Sequence, residues 1–390
     1  MGDLSQRVRA SEAARVHAAE LPKRLKLLDD LLKSKGIDLA DLEAASVRKV
    51  GFWQAMHKDD DTGEAVVTDL ARIELAPGWE DGPEWPVVKP GPMPRHPAKA
   101  RKRKAAKWQT AVILPDMQAG YFRNGDDELV ATHDEAAIAV ALSVIADEDP
   151  DVVVLNGDNL DAAEWGKYRT TPAFQRTTQA TVDRLTVLCD QLRQAAPHAR
   201  IVWLEGNHEA RVPNLLLDNA KAAFGLRRGR EPKGWPVLSL PHLCRMDDYG
   251  VEYVSGYPAN EFWLNDNFRV IHGHRHKSNG TTATLYLDDA RVSTCYGHVH
   301  RRELAQRTRH TRKGPRTVTA VSFGCLCRLD GAVPSTKGGN DVHGQPVRST
   351  EDWQNGLGVV RFQPGDGLHV VEHVEILNGW AMHRGQEYRG

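Results

Sequence analysis

The sequence predicts an α/β chain in which a largely parallel sheet carries a second sheet, preceded by an N-terminal accessory region. Three observations lead there. Between residues 111 and 204, short apolar runs alternate with longer stretches of helical periodicity, the β-α-β-α-β order that builds parallel sheets. From about residue 251 onward the chain is mostly strand-like. The 390 residues are 41% hydrophobic and 26% charged. That is ample for a large core and excludes a mainly disordered, collagen-like or disulfide-scaffold chain.

The elements follow in order. Residues 1–35 read as helix, because Leu21, Leu25, Leu28, Leu31 and Leu32 recur at helical spacing, Pro22 suits a first turn and Gly36 a stop. A short helix is expected at 38–45, then strand between 47 and 75 around the turn Asp59-Asp60-Asp61-Thr62-Gly63. Residues 76–98, rich in Pro, Gly and Trp, read as a linker, and 99–107 are dominated by Lys and Arg. The boundary is therefore placed at 107, giving an accessory region of 1–107 and a main domain of 108–390. Strands are expected at 111–114, 152–155, 201–204, 251–255, 268–272, 291–296, 317–323, 357–362 and 369–376, with helices at 134–146 and 177–194.

Several classes are excluded early. The N-terminus lacks an apolar segment of about 7–15 residues, and the longest apolar run, 136–146, is too short to cross a bilayer. A cytoplasmic protein with no membrane partner is expected. The five cysteines form no CxxC pair, which argues against a zinc ribbon or a disulfide framework. Cys325 and Cys327 would either bind a soft metal or be strand neighbours in a reducing compartment.

The chemistry sits at strand ends. The strands run into Pro115-Asp116-Met117-Gln118, Asn156-Gly157-Asp158-Asn159-Leu160-Asp161, Gly206-Asn207-His208-Glu209, His272-Gly273-His274 and Gly297-His298-Val299-His300. In open α/β sheets ligands bind beyond the carboxyl ends of strands, so these five clusters should converge. Carboxylate, amide oxygen and imidazole are ligands of hard-to-borderline divalent cations, and the inventory suffices for two ions clamping a bridging hydroxide.

In this order the motifs D-x-Q, GD-x-x-D, GNHE, H-G-H and GH-x-H resemble those of the calcineurin-like metallophosphoesterases, over roughly residues 108–378. The tails GNHEAR and TEDWQNGLGVV are most similar to bacteriophage- and prophage-encoded, exonuclease-like members. The resemblance implies an α/β/β/α sandwich of two mixed sheets flanked by helices, and two divalent ions, Mn²⁺ first, with Mg²⁺, Fe²⁺ and Zn²⁺ as alternatives. It implies a first metal site of Asp116, Gln118, Asp158 and His300, and a second of Asp158, Asn207, His272 and His298, with Asp158 bridging. His208 would be general acid or phosphoryl donor, and Asp161 would hold its tautomer and keep it protonated. Asp161 has a helix N-cap as its plainer role. His274 is the alternative to His272, and Glu209 is expected behind the ligands. Gln118 departs from the family's common His, which implies weaker binding at the first site and a preference for Mn²⁺ or Mg²⁺ over Zn²⁺. The Arg-Gly that follows the second motif in protein phosphatases is missing, since Ala162 and Ala163 stand there.

The net charge of −1 hides a segregation. Residues 85–115 hold eight Lys/Arg and no acid, and 301–316 hold seven against Glu303 alone. The second run follows His300 directly, which suits a polyanion such as DNA, or less well RNA. Arg211, Arg301 and Arg302 are the expected substrate contacts. Trp53, Trp79, Trp85 and Trp108 would stack bases or simply anchor loops. The leading expectation is a two-metal phosphodiesterase, a nuclease of the exonuclease-like kind. Its alternatives are a phosphomonoesterase, a cyclic-nucleotide phosphodiesterase, and a non-catalytic nucleic-acid scaffold.

Overall fold

The computed structural model describes residues 21–34, 46–58, 65–76 and 106–390, apart from 168–169, 279, 313, 337–339, 342, 344, 346 and 348–350. The chain divides into two units, Met1–Gly91 and Pro92–Gly390. In the first, helix α1 (Leu21–Ser34) lies against β2 (Ala65–Ala76), which pairs antiparallel with β1 (Ser46–Lys58). Leu28 and Leu32 supply the buried helical stripe, and Lys23 Nζ lies 2.5 Å from Asp69 Oδ2. Residues 1–20 of the helix expected over 1–35, the helix expected at 38–45, the turn at 59–63 and residues 77–105 of the linker and basic run lie outside the described residues.

The second unit contains, in chain order, β3 (Gln109–Leu114), β4 (Tyr121–Arg123), β5 (Leu129–Ala131), α2 (Glu135–Glu148), β6 (Val152–Leu155), α3 (Thr178–Ala195), β7 (Arg200–Leu204), α4 (Arg211–Asn219), α5 (Leu240–Leu243), β8 (Val251–Val254), β9 (Phe262–Asn265), β10 (Phe268–Ile271), α6 (Thr282–Asp289), β11 (Ser293–Tyr296), β12 (Arg302–Thr311), β13 (Gly314–Phe323), β14 (Gly356–Phe362), β15 (His369–Glu375), β16 (Trp380–His383) and β17 (Gln386–Arg389). One sheet has the order β15-β14-β3-β6-β7-β8 and the other β12-β13-β11-β10-β9. The first sheet is parallel through β3, β6, β7 and β8, as the alternation with helices requires. It becomes antiparallel at β14 and β15, which return from the far end of the chain.

The strand period of two sorts the apolar side chains into layers. Ala111, Ile113, Val152, Val154, Val202 and Leu204 face the second sheet, where Phe268, Val270, Cys295, Val321 and Phe323 meet them. Their neighbours Val112, Leu114, Val153, Leu155, Ile201 and Trp203 face the other way, onto α2 and α3. Helix α2 starts where Asp134 accepts from Ala137 N and buries Ile138, Val140, Ala141, Val144 and Ile145 as one stripe. On the outer face of the second sheet, α6 packs Ala283, Tyr286 and Leu287 against Tyr296, Val318 and Ala320. The architecture is the α/β/β/α sandwich of mixed sheets that the sequence led us to expect.

Two stretches differ from the sequence reading. Helix α6 lies within a region expected to be mostly strand. The basic run at 301–316 is an ordered ribbon rather than a loose rim, pairing Arg302 with Phe323 through Thr311 with Gly314. Its polar composition belongs to a largely exposed edge strand, and arginines that cross to acceptors on the adjacent helix help to hold it. Arg307 reaches Asp288 at 2.8 Å, and Arg309 donates to the Leu287 carbonyl at 3.1 Å.

The inter-sheet layer sets the stability of this unit. Phe323, fully enclosed between the sheets, is expected to cost about 3–5 kcal/mol on truncation to Ala. Urea unfolding of Phe323→Ala checks this, with a lowered midpoint at unchanged slope as the expected result.

Candidate metal centre

The five polar clusters meet at one end of the sandwich. Main-chain hydrogen bonds lock the loops to one another: Gln118 N donates to Asp158 O at 2.9 Å, Gly297 N to His272 O at 2.8 Å, and Leu326 N to Asp116 O at 3.1 Å. Turning the side chains inward requires unusual backbone. Asp116, Gln118, Asp158, His298 and His300 all have positive φ, between 23° and 69°. Each such non-glycine residue costs about 1–3 kcal/mol, and such strain collects at functional sites. Gly206 is required for a different reason, since a Cβ there would overlap the Asp158 carboxylate and amide nitrogen.

Asp158 is the centre. Its side chain is almost fully buried. Oδ1 accepts from His208 N at 2.9 Å, and Oδ2 lies 3.3 Å from His272 Nε2 and 3.7 Å from His208 Nε2. Gln118 Nε2 donates to Oδ2 at 3.3 Å. Asn207 Oδ1 lies 3.2 Å from His272 Nε2 and 2.8 Å from His298 Nδ1. His300 Nε2 is 3.4 Å from Asp116 Oδ1, which also accepts from His298 N at 2.9 Å. His272 donates through Nδ1 to the Asn156 carbonyl, 2.8 Å away, a contact that aims Nε2 into the cluster. His274 is exposed, and among the described residues its main-chain N–H donates to Tyr286 Oη, so the cluster takes His272.

The ligand atoms of Asp116, Asp158 and His300 lie within 4.8 Å of one another, and so do those of Asp158, His272 and His298. These triplets share Asp158. Two acceptors here have no hydrogen-bond partner although buried, Asp116 Oδ2 and Gln118 Oε1. Buried oxygens are ordinarily satisfied, and a divalent cation would satisfy both. The donor set of carboxylate, amide oxygen and imidazole fits a hard-to-borderline ion.

Electrostatics agree with a site built around negative charge. Burial opposes the charge of Asp158, but His272, His208 and His298 overcome it and hold its carboxyl well below the usual range. Burial likewise opposes a proton on His272, and the Asp158 carboxylate outweighs it, raising the imidazole to about 10. Burial and the neighbouring His272 push His298 down to about 4.

Glu209 is the residue whose importance spacing understated. It was expected behind the ligands, and it is fully buried there, accepting from five N–H groups: Asp158 N, Asn159 N, Asn159 Nδ2, Trp203 Nε1 and Gly206 N, at 2.8–3.3 Å. One carboxylate thus ties the loop after β6 to the loop after β7. Burial and the nearby Asp158 charge push its carboxyl up.

The remaining residues divide. His208 and Asp161 are together, but the main chain makes the close contact. Asp161 O is 2.6 Å from His208 Nδ1, and the Asp161 carboxylate is 3.4 Å away. Arg211 joins them, with Nη2 3.0 Å from His208 Nε2 and Nη1 donating to Asp161 O. Arg301 and Arg302 are placed elsewhere. Arg301 binds Glu303 at 2.9 Å and the Lys277 carbonyl at 2.8 Å, and Arg302 pairs with Glu375. Tyr257 and Trp353, not singled out for the site, rest against ligand imidazoles. Their ring centroids are 5.8 Å from His272 and 4.2 Å from His300. Trp353 lies within the TEDWQNGLGVV tail, so a signal was present, while Tyr257 has no motif to mark it.

Comparison with known proteins agrees with this geometry. Residues 113–302 match the family model described as calcineurin-like phosphoesterase. The chain carries a calcineurin-like phosphoesterase domain. A domain of this family supports metal-dependent phosphoester hydrolysis, and the Asp/His clusters are able to bind divalent ions. No curated protein matches the chain. Among solved structures, Yfce, a phosphoesterase from E. coli, shares 12% identity over 69% of this chain and 100% of its own, with a TM-score of 0.28. No helix among the described residues is long and apolar enough to cross a membrane.

Two outcomes are expected of the phosphoesterase domain. Glu209→Ala leaves five buried donors without their acceptor, at about 1–3 kcal/mol for each that water cannot reach. A loss of at least ~3 kcal/mol in chemical unfolding, together with weakened metal binding, is the expected reading. Near neutral pH the metal-free His272 carries a proton and His298 does not, so an entering cation must displace the former. Mn²⁺ affinity should therefore rise with pH through neutrality. Calorimetry in buffers of different ionisation enthalpy should report net proton release.

Proposed function

We propose that the chain is a two-metal phosphodiesterase acting on nucleic acid, DNA before RNA, as a nuclease. The observation that carries the phosphoesterase chemistry is the pair of Asp/His triplets joined through Asp158, with the orphaned Asp116 Oδ2 and Gln118 Oε1 beside them. In this reading Asp116, Gln118, Asp158 and His300 hold one ion, and Asp158, Asn207, His272 and His298 hold the other. Mn²⁺ is the favoured metal because an amide replaces an imidazole among the first set. Such ions supply an activated hydroxide and neutralise phosphoryl charge. His208 stands beside the bridging carboxylate and delivers a proton to the departing oxygen. The Asp161 carbonyl, accepting at Nδ1, keeps Nε2 as the working nitrogen. Arg211 touches that same nitrogen, and a phosphoryl oxygen arriving there would take over its guanidinium.

Support for a polyanionic substrate comes from charge and position. The run 301–316 begins immediately after His300 and carries seven basic residues, most of them along the ribbon of β12 and β13. Arg301 and Arg302 themselves would contribute through field rather than contact while paired with Glu303 and Glu375. The composition of the basic run over 99–107 favours the same substrate class, and the first 107 residues would bind or guide the strand. The tails that resemble phage-encoded enzymes favour the same substrate class and a cytoplasmic site of action.

The test is a substrate panel with Mn²⁺: single- and double-stranded DNA, RNA, a cyclic nucleotide, a bis-ester chromogen and a phosphomonoester. Cleavage of polynucleotide that falls steeply with added salt is expected, together with a loss of at least about 10³-fold in Asp158→Ala and about 10²-fold or more in His208→Ala. Preference for the monoester or the cyclic nucleotide would overturn the nuclease reading. Undiminished hydrolysis by Asp158→Ala would overturn the two-metal reading.

A further inference from the structure

The far side of His300 carries a second cluster. Its Nε2 faces Asp116, while its Nδ1 lies 4.0 Å from Cys327 Sγ. His300 Nδ1 or Nε2, Cys325 Sγ and Cys327 Sγ offer one ligand atom each within 4.8 Å of one another, and all three residues are buried. The segment that carries the thiols is fixed by its main chain. Cys325 N donates to Gln354 O at 3.0 Å, Leu326 N to Asp116 O at 3.1 Å, and Asn355 Nδ2 binds both the Cys325 and Cys327 carbonyls, at 3.2 and 2.8 Å. Trp353 covers His300 on the outside.

We propose that His300 Nδ1, Cys325 Sγ and Cys327 Sγ form a further metal site for a thiophilic d¹⁰ cation of the Zn²⁺, Cd²⁺ or Cu⁺ class. The distances carry this. Metal–nitrogen bonds of about 2.0–2.1 Å and metal–sulfur bonds of about 2.3 Å, at tetrahedral to trigonal angles, put N and S about 3.6–3.8 Å apart. The observed 4.0 Å needs a contraction of only a few tenths of an ångström. Two thiolates and one imidazole select soft ions over Mn²⁺ or Mg²⁺. Binding forms two metal–sulfur bonds and one metal–nitrogen bond and releases the two thiol protons.

The site also has a consequence for its neighbour. Neutral imidazole has a single lone pair, so His300 serves one cation at a time. An ion held by the thiols takes it through Nδ1 and withdraws Nε2 from the Asp116 side. Thiophilic ions therefore expel Mn²⁺ from the adjacent position. This competition rests on the ligand set proposed above; the thiol site itself does not.

Full-length protein loaded with Mn²⁺ is titrated with Cd²⁺ and compared with Cys325→Ser/Cys327→Ser. Wild type should develop an ultraviolet thiolate-to-Cd²⁺ charge-transfer band that saturates near one equivalent, and free Mn²⁺ seen by electron paramagnetic resonance should rise in step. The double variant should show neither change. ¹¹³Cd NMR of the wild type reads the sulfur ligands directly and depends on no variant. Absence of the band with only oxygen and nitrogen ligation in the NMR spectrum, or a band kept by the double variant, overturns the site. A band with Mn²⁺ fully retained overturns the competition for His300. All three readouts are of binding, so they stand apart from any failure to find a hydrolysable substrate.

Discussion

A buried carboxylate charge is the constraint on which the rest of the site depends. Asp158 is removed from water at the end of β6, and an isolated carboxylate there would be prohibitively costly. The structure compensates it from several directions at once. His208 N donates to one oxygen, His272 stands against the other, and Gln118 reaches it from the loop after β3. Glu209 holds the Asp158 main chain from behind. These groups come from the loops after β3, β7 and β10, so satisfying one charge on the loop after β6 brings four loops into register. The same crowding leaves Asp116 Oδ2 and Gln118 Oε1 without partners, a deficit that suits a cation.

The site is also strained, and the sandwich bears that strain. Five of its side chains sit on residues with positive φ, and a local sequence would not choose that conformation unaided. The strands beneath are short, four to six residues from β3 to β11 where they feed the site, but they are enclosed on both faces by apolar layers. Rigid strands ending in strained loops position ligands more closely than flexible loops would. His300 shows how far this economy goes. One imidazole faces Asp116 with one nitrogen and a thiol with the other, under the cover of Trp353.

Charge distribution extends the argument outward. Arginines in the run after His300 looked like a free basic rim, yet several are engaged within the fold. Arg301 pairs with Glu303, Arg302 with Glu375 and Arg307 with Asp288. Such pairs keep an edge strand in place and still leave a field around the ribbon, because a neutralised contact is not a neutralised surface. A polyanion would feel the whole ribbon rather than any one guanidinium.

By itself the sequence pointed to the order of elements, the sandwich of two sheets and the clustering of Asp116, Asp158, Asn207, His272, His298 and His300, because each of those residues lies within four positions of the end of an apolar strand whose direction local pattern reveals. It favoured His272 over His274 as the first residue past the strand, and the structure decided between them by turning His272 into the cluster and leaving His274 exposed. Tertiary structure alone decided what faces what across the sandwich. That Glu209 gathers five donors, that the Asp161 carbonyl rather than its carboxylate makes the close contact with His208, that Arg301 and Arg302 turn to Glu303 and Glu375, and that Cys327 backs His300 all depend on long-range packing. Apart from Arg301 with Glu303 and Glu209 with Trp203 and Gly206, these contacts join residues tens of positions apart. Their geometry is set by sheet twist and layer spacing, which leave no periodic mark in the chain.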